Sequence, residues 1–153
     1  MKKILLSLAI SVAAGLAVAA DRPYDEQADA KAQIAVALHD AAAAREPVLL
    51  IFGANWCPDC RALDSALKTG RNAELMGKFK VVKIDVGRFD HNVDVSTAYG
   101  NATKKGIPSA VIVSPDNKIL FMTKAGELAD ARSMSADGIY DFFTKAEAAA
   151  RLQ

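Results

Sequence analysis

VLLIFGANWCPDC, residues 48 to 60, holds both cysteines of the chain and decides how the rest is read. Val48 to Phe52 is a short, wholly apolar run of strand formers, the pattern of a strand covered on both faces. Gly53, Ala54 and Asn55 break it. Trp56 and Cys57 follow, and Pro58 suits a first helical turn because the N–H it lacks would have no partner there. A helix is therefore expected from Pro58 to about Lys68, with Gly70 as its stop. Cys57 then falls at the helix N-terminus, where unpaired N–H groups and the helix dipole favour a thiolate. Cys60 shares a face with Leu63 and Leu67 and points toward the core. The two sulfurs are close enough to bridge, with one expected to be exposed and the other sheltered.

A C-x-x-C pair serves redox centres, metal sites and plain crosslinks alike. Its place at a strand-to-helix switch favours redox chemistry, in which Cys57 attacks a substrate disulfide and Cys60 resolves the mixed intermediate. An inert crosslink would gain little from closing so short a loop. Copper or zinc handling through the same cysteines is the rival from another class. His39 on the first helix and His91 in a polar loop supply no fourth ligand at helpful spacing, so no metal site is assigned. The expected centre is the Cys57–Cys60 disulfide itself, with no further cofactor.

Upstream, Asp21 to Tyr24 reads as a polar lead-in, and Asp25 to Arg45 as a helix with Ile34, Leu38, Ala41 and Ala42 on one side. Pro47 ends it. Downstream, Lys80 to Val86 reads as a second buried strand, followed by a polar segment from Gly87 to Asn92. Asn92 is expected to cap a short helix over Val93 to Tyr99, ended by Gly100. Ser109 to Ser114 and Ile119 to Thr123 form a hairpin about the Pro115-Asp116-Asn117 turn. Lys124 to Ala136 has no clear period. A last amphipathic helix covers Ala136 to Leu152, with Ile139, Phe142, Phe143 and Ala146 on one face. The order implies an α/β layered domain with one antiparallel hairpin.

The chain has 153 residues, 52% hydrophobic, with 19 basic and 18 acidic side chains. Met1, Lys2 and Lys3 precede an apolar stretch, Ile4 to Ala20, that ends in small residues and reads as a signal peptide cleaved after Ala19 or Ala20. Two of the 19 basic residues lie in this leader, so residues 21 to 153 carry 17 against 18, a net charge of −1. That near-neutral balance gives no footprint for nucleic acid. The expected organisation is a leader over 1–20 and a single monomeric domain over 21–153. The short leader with paired lysines points to the bacterial periplasm, where a disulfide can persist.

Taken with this framework, VLLIFGANWCPDC resembles the strand, Trp and active-site motif of the thioredoxin family. Val81 to Asp85 resembles that family's next core strand, and Gly106-Ile107-Pro108 its cis-proline loop, followed by the expected hairpin and closing helix. The resemblance spans the whole chain after the leader. It implies a thioredoxin-like fold, a central mixed sheet of about four strands flanked by helices. It also implies that Pro108 is cis beside the cysteines and that the Ile107 backbone pairs with a substrate strand. Trp56, Pro58 and Asp59 complete the motif, with Trp56 lining the substrate surface.

One departure stands out. Family members carry a buried Asp on the strand before the motif that moves protons for the inner cysteine; Ile51 occupies that position here, while its partner survives as Lys83. Asp59 and Lys83 are then the candidates for proton transfer. A carboxylate between the cysteines also opposes a thiolate at Cys57 by like-charge repulsion. Ile107 before the proline resembles thioredoxins more than the strongly oxidising relatives, which implies a reductase, with a thiol oxidase or isomerase as the alternative. Protein thiols or disulfides of the cell envelope are the expected partners, with a membrane electron donor to renew the dithiol. The segment from Gly87 to Lys105 is long for the family and is a candidate partner contact, although surface insertions are cheap.

Overall fold

Asp29 begins the first helix, its carboxylate accepting from the Ala32 N–H at 3.0 Å. Helix α1 covers Ala30–Ala44, starting five residues later than the periodicity suggested because this cap sits inside the predicted span. The structure is a computed structural model that describes residues 21–152; the leader reading lies outside those residues. Strand β1 (Val48–Gly53) follows, then helix α2 (Pro58–Leu67). Gly70 does not simply stop α2. At φ 52° it turns the chain and opens a further helix, α3 (Gly70–Met76), which the sequence reading missed.

Strand β2 (Lys80–Asp85) and helix α4 (Val93–Ala98) come next. Asn92 precedes α4 but does not cap it: it is left-handed at φ 50°, and its Nδ2 donates to the Asp85 carbonyl at 2.8 Å. The hairpin is β3 (Ser109–Val113) and β4 (Ile119–Met122), and a 3-10 turn at Ala131–Ser133 leads to helix α5 (Ala136–Arg151). Ser135 caps α5 by accepting from the Gly138 N–H at 3.0 Å.

The sheet order is β2-β1-β3-β4, with β1 parallel to β2 and the other pairs antiparallel. Strand β1 is central and fully buried, which explains its unbroken apolar run. Val48, Leu50 and Phe52 pack with Ile34, Ala37 and Ala41 of α1. Leu49 and Ile51 face the other way, with Leu63 and Leu67 of α2 and Ile139 and Phe143 of α5. This is the expected mixed four-strand sheet between helices. The redox motif leaves the carboxyl end of its central strand.

Candidate active site

Cys57 is the N-cap of α2. Its Sγ accepts the Cys60 N–H at 3.1 Å, and Pro58 occupies the first turn. The two cysteines form a disulfide with Cα atoms 5.2 Å apart. The predicted contrast in exposure is smaller than expected: Cys57 is 4% exposed and Cys60 0%. The correction has a local cause. The Ile107–Pro108 loop lies over the outer sulfur, placing the Ile107 carbonyl oxygen 3.8 Å from Cys57 Sγ, with Ile107 itself buried. The Ile107–Pro108 peptide bond is cis.

Trp56 is half-exposed beside the pair, and its Nε1–H donates to the Gly87 carbonyl at 2.7 Å. This bond ties the motif to the segment after β2. Asp59 is buried. Its Oδ1 accepts the Arg132 N–H at 3.1 Å with the Arg132 Nε at 3.6 Å, so it anchors the 3-10 turn to α2. Part of its charge is met by that guanidinium.

Lys83 stands opposite Ile51 in the β1–β2 register, as the missing carboxylate would require. Its partner is Asp64 of α2, a residue the sequence reading passed over. Asp64 is 3% exposed and also pairs with Lys68 at 2.6 Å. The buried acid absent from β1 is thus supplied by the helix, one turn after Cys60. The spacing Cys60 to Asp64, an i,i+4 neighbour on the buried face, was the available signal.

The lead-in is also not merely polar. Tyr24 is buried in the core, and Asn55 clamps it by accepting its N–H at 3.0 Å and donating to its carbonyl at 2.8 Å. Its hydroxyl fills the space above Gly53: a Cβ added there would lie 2.2 Å from that oxygen, so glycine is required for close approach. Burial, with smaller contributions from the Asp64 and Asp85 carboxylates, pushes the Tyr24 phenol well above its ordinary range.

A pH dependence follows from that shift. In the unfolded chain Tyr24 ionises near pH 10, whereas the folded chain keeps its proton. Unfolding therefore releases a proton above that pH, and stability falls as pH rises past it. Urea unfolding between pH 8 and 11 is expected to lose about 1.4 kcal/mol per pH unit above pH 10 through this one group. Tyr24→Phe should remove that slope; an unchanged alkaline slope in the variant would refute the assignment.

Gly87 to Asn92 folds into a hydrogen-bonded knot about Asp85 and Val86. Asp85 is buried, accepts the Gly87 N–H at 2.9 Å and faces His91 Nδ1 at 3.4 Å. His39 lies on α1 with an 85% exposed side chain. Among the described residues no group of three or more His, Cys, Asp or Glu side chains is placed to hold a metal ion, and neither histidine joins the cysteines.

A family model described as thioredoxin-like matches residues 29–115. A solved disulphide isomerase from Xylella fastidiosa Temecula1 is 54% identical, with a TM-score of 0.81 over 83% of this chain and 98% of that one. Two curated relatives match over shorter stretches. Thioredoxin C-2 of Corynebacterium nephridii is 45% identical over 47 residues, which is 31% of this chain and 43% of its own. Probable nucleoredoxin 3 of Oryza sativa subsp. japonica is 31% identical over 90 residues, 46% of this chain and 19% of its own. The chain therefore spans less than half the length of these curated relatives.

Proposed function

The chain belongs to the thioredoxin-like family and is a disulfide oxidoreductase with a Cys57–Cys60 pair; from that premise we propose that it works as a periplasmic disulfide reductase. The observation that carries this reading is Cys57 at the cap of α2, its sulfur held by the Cys60 N–H and faced by the Ile107 carbonyl. In the reduced protein that N–H and the helix dipole stabilise a thiolate at Cys57.

The thiolate attacks one sulfur of a substrate disulfide. A bond forms between Cys57 and that sulfur, and the other substrate sulfur leaves as a thiolate. Cys60, once deprotonated, attacks Cys57 Sγ, closing the Cys57–Cys60 disulfide and releasing the second substrate thiolate. Two electrons pass to the substrate, and its two thiolates take up two protons. A dithiol donor, proposed to sit in the membrane, must return two electrons before the next turnover. During the encounter the Ile107 backbone offers hydrogen bonds to an extended substrate strand, and Trp56 lines its path.

Ile107 before the proline supports the reducing direction, and the leader over 1–20 supports export to the periplasm. Protein disulfides of the cell envelope are then the substrates, met by a monomer. A second reading, disulfide isomerisation, is favoured by the 54% identical relative being a disulphide isomerase. Equilibration with glutathione separates them. A reductase is expected near about −270 mV and an isomerase near about −180 mV, whereas about −120 mV marks an oxidant. In parallel, Cys60→Ser should accumulate mixed disulfides through Cys57 with envelope proteins. A potential at the oxidising end, or no captured protein, would overturn the reductase reading.

A further inference from the structure

Phe89 is 47% exposed and has φ 66°, a left-handed conformation that a bulky side chain seldom adopts. The surrounding loop enforces it. The Phe89 N–H donates to the Val86 carbonyl at 2.8 Å, the Asp90 and His91 N–H groups converge on the same oxygen, and Arg88 N–H donates to Asp90 Oδ1 at 2.8 Å. An over-determined loop that keeps an aromatic ring in solvent is the kind of strain found at binding surfaces.

The ring does not stand alone. It meets Trp56 edge to face with centroids 6.3 Å apart, and the Arg88 guanidinium lies 5.7 Å over the Trp56 ring. Trp56 is itself 46% exposed and immediately precedes Cys57. The two rings thus form an exposed apolar ledge that begins at the residue before the exchanging cysteine. Arg88 makes no ion pair among the described residues, so its cation is occupied with bracing the indole.

We propose that Phe89 is a specificity-determining residue of the exchange, binding with Trp56 an aliphatic or aromatic side chain two residues from the cysteine of a polypeptide substrate. The proposal rests on the reading of Cys57 as the attacking sulfur. Alternate side chains of an extended chain project to the same face. A substrate held by the Ile107 backbone at its cysteine therefore presents the side chain two residues away on the same face as the reacting sulfur, toward the ledge. Burying the exposed faces of two rings supplies the preference.

The test compares two disulfide peptides that differ only in having Leu or Ser two residues from the cysteine, with hydroxyethyl disulfide as a substrate too small to reach the ledge. Pre-reduced wild-type protein is expected to favour the Leu peptide about tenfold in kcat/KM. Phe89→Ala should erase the preference through KM, with the rate on hydroxyethyl disulfide unchanged. Phe89→Leu, which keeps an apolar side chain on the folded loop, should retain most of it. Persistence of the preference in Phe89→Ala, or an equal loss on hydroxyethyl disulfide, would overturn the proposal. Wild-type protein that exchanges with none of the three disulfides overturns the reading of Cys57 itself, a separate result.

Discussion

Cys57→Ser is expected to slow disulfide exchange at least about a thousandfold, measured as reduction of a protein disulfide by the pre-reduced chain. A serine hydroxyl stays protonated at neutral pH and cannot form the mixed disulfide on which the reaction depends. The geometry gives no substitute. Cys60 has no exposed surface, so a substrate sulfur cannot reach the inner thiol directly. The fold should tolerate the change. Strand β1 and helix α2 are held by their own packing, and the disulfide closes only a short loop, so its entropic contribution is small. A variant that unfolds with the same cooperativity yet has lost exchange is the expected outcome. Retention of near-normal exchange by Cys57→Ser would remove the outer cysteine from the mechanism.

What could be read from the chain divides along the reach of each interaction. The strand, the glycine break, the proline-started helix and the cysteine at its cap are dictated within a dozen consecutive residues, so VLLIFGANWCPDC carried them openly. The hairpin after Pro108 was legible for the same reason. Features that depend on two distant segments meeting were not. Tyr24 looked like part of a polar lead-in, because nothing in its neighbours reveals that Gly53 leaves a slot for its ring. Gly70 looked like a stop, and it does turn the chain, but α3 continues from it because Asn72 and Leu75 bury themselves and the Asn72 Nδ2 reaches the Ala136 carbonyl at the start of α5. Phe89 lies in a segment legible only as long and as a candidate partner contact, with no residue of it singled out for that role. Its orientation comes from the turn onto the Val86 carbonyl and from the ring contact with Trp56, which is distant in the chain.

The same division explains Asp64, whose removal is the second large effect. Ile51 on β1 suggested that Lys83 had lost its buried partner; the partner instead arrives from α2 through helix-on-sheet packing. Asp64→Ala would leave the Lys83 ammonium, 29% exposed, without its counter-charge. Breaking a fully buried pair costs about 3–5 kcal/mol. Here Lys83 and Lys68 retain some access to water, so a loss of about 2 kcal/mol, or roughly 6–10 °C in Tm, is expected. Asp64→Leu combined with Lys83→Met should recover most of it, since an apolar pair removes both the charge and its need for a partner.

Asp64 also bears on the rate. Cys60 must lose its proton before it can resolve the mixed disulfide, and Asp64 is its i,i+4 neighbour on the buried face of α2, with Cβ atoms about 5–6 Å apart in such a pair. Asp64→Asn keeps the shape and removes the base. Resolution at pH 7 is expected to slow about a hundredfold, with the first attack by Cys57 unchanged. Raising the pH beyond about 8.5, where an ordinary thiol ionises unaided, should restore much of the lost rate. A purely structural role predicts the stability loss with a flat pH profile for resolution, and that profile would return the proton transfer to Asp59 or to solvent.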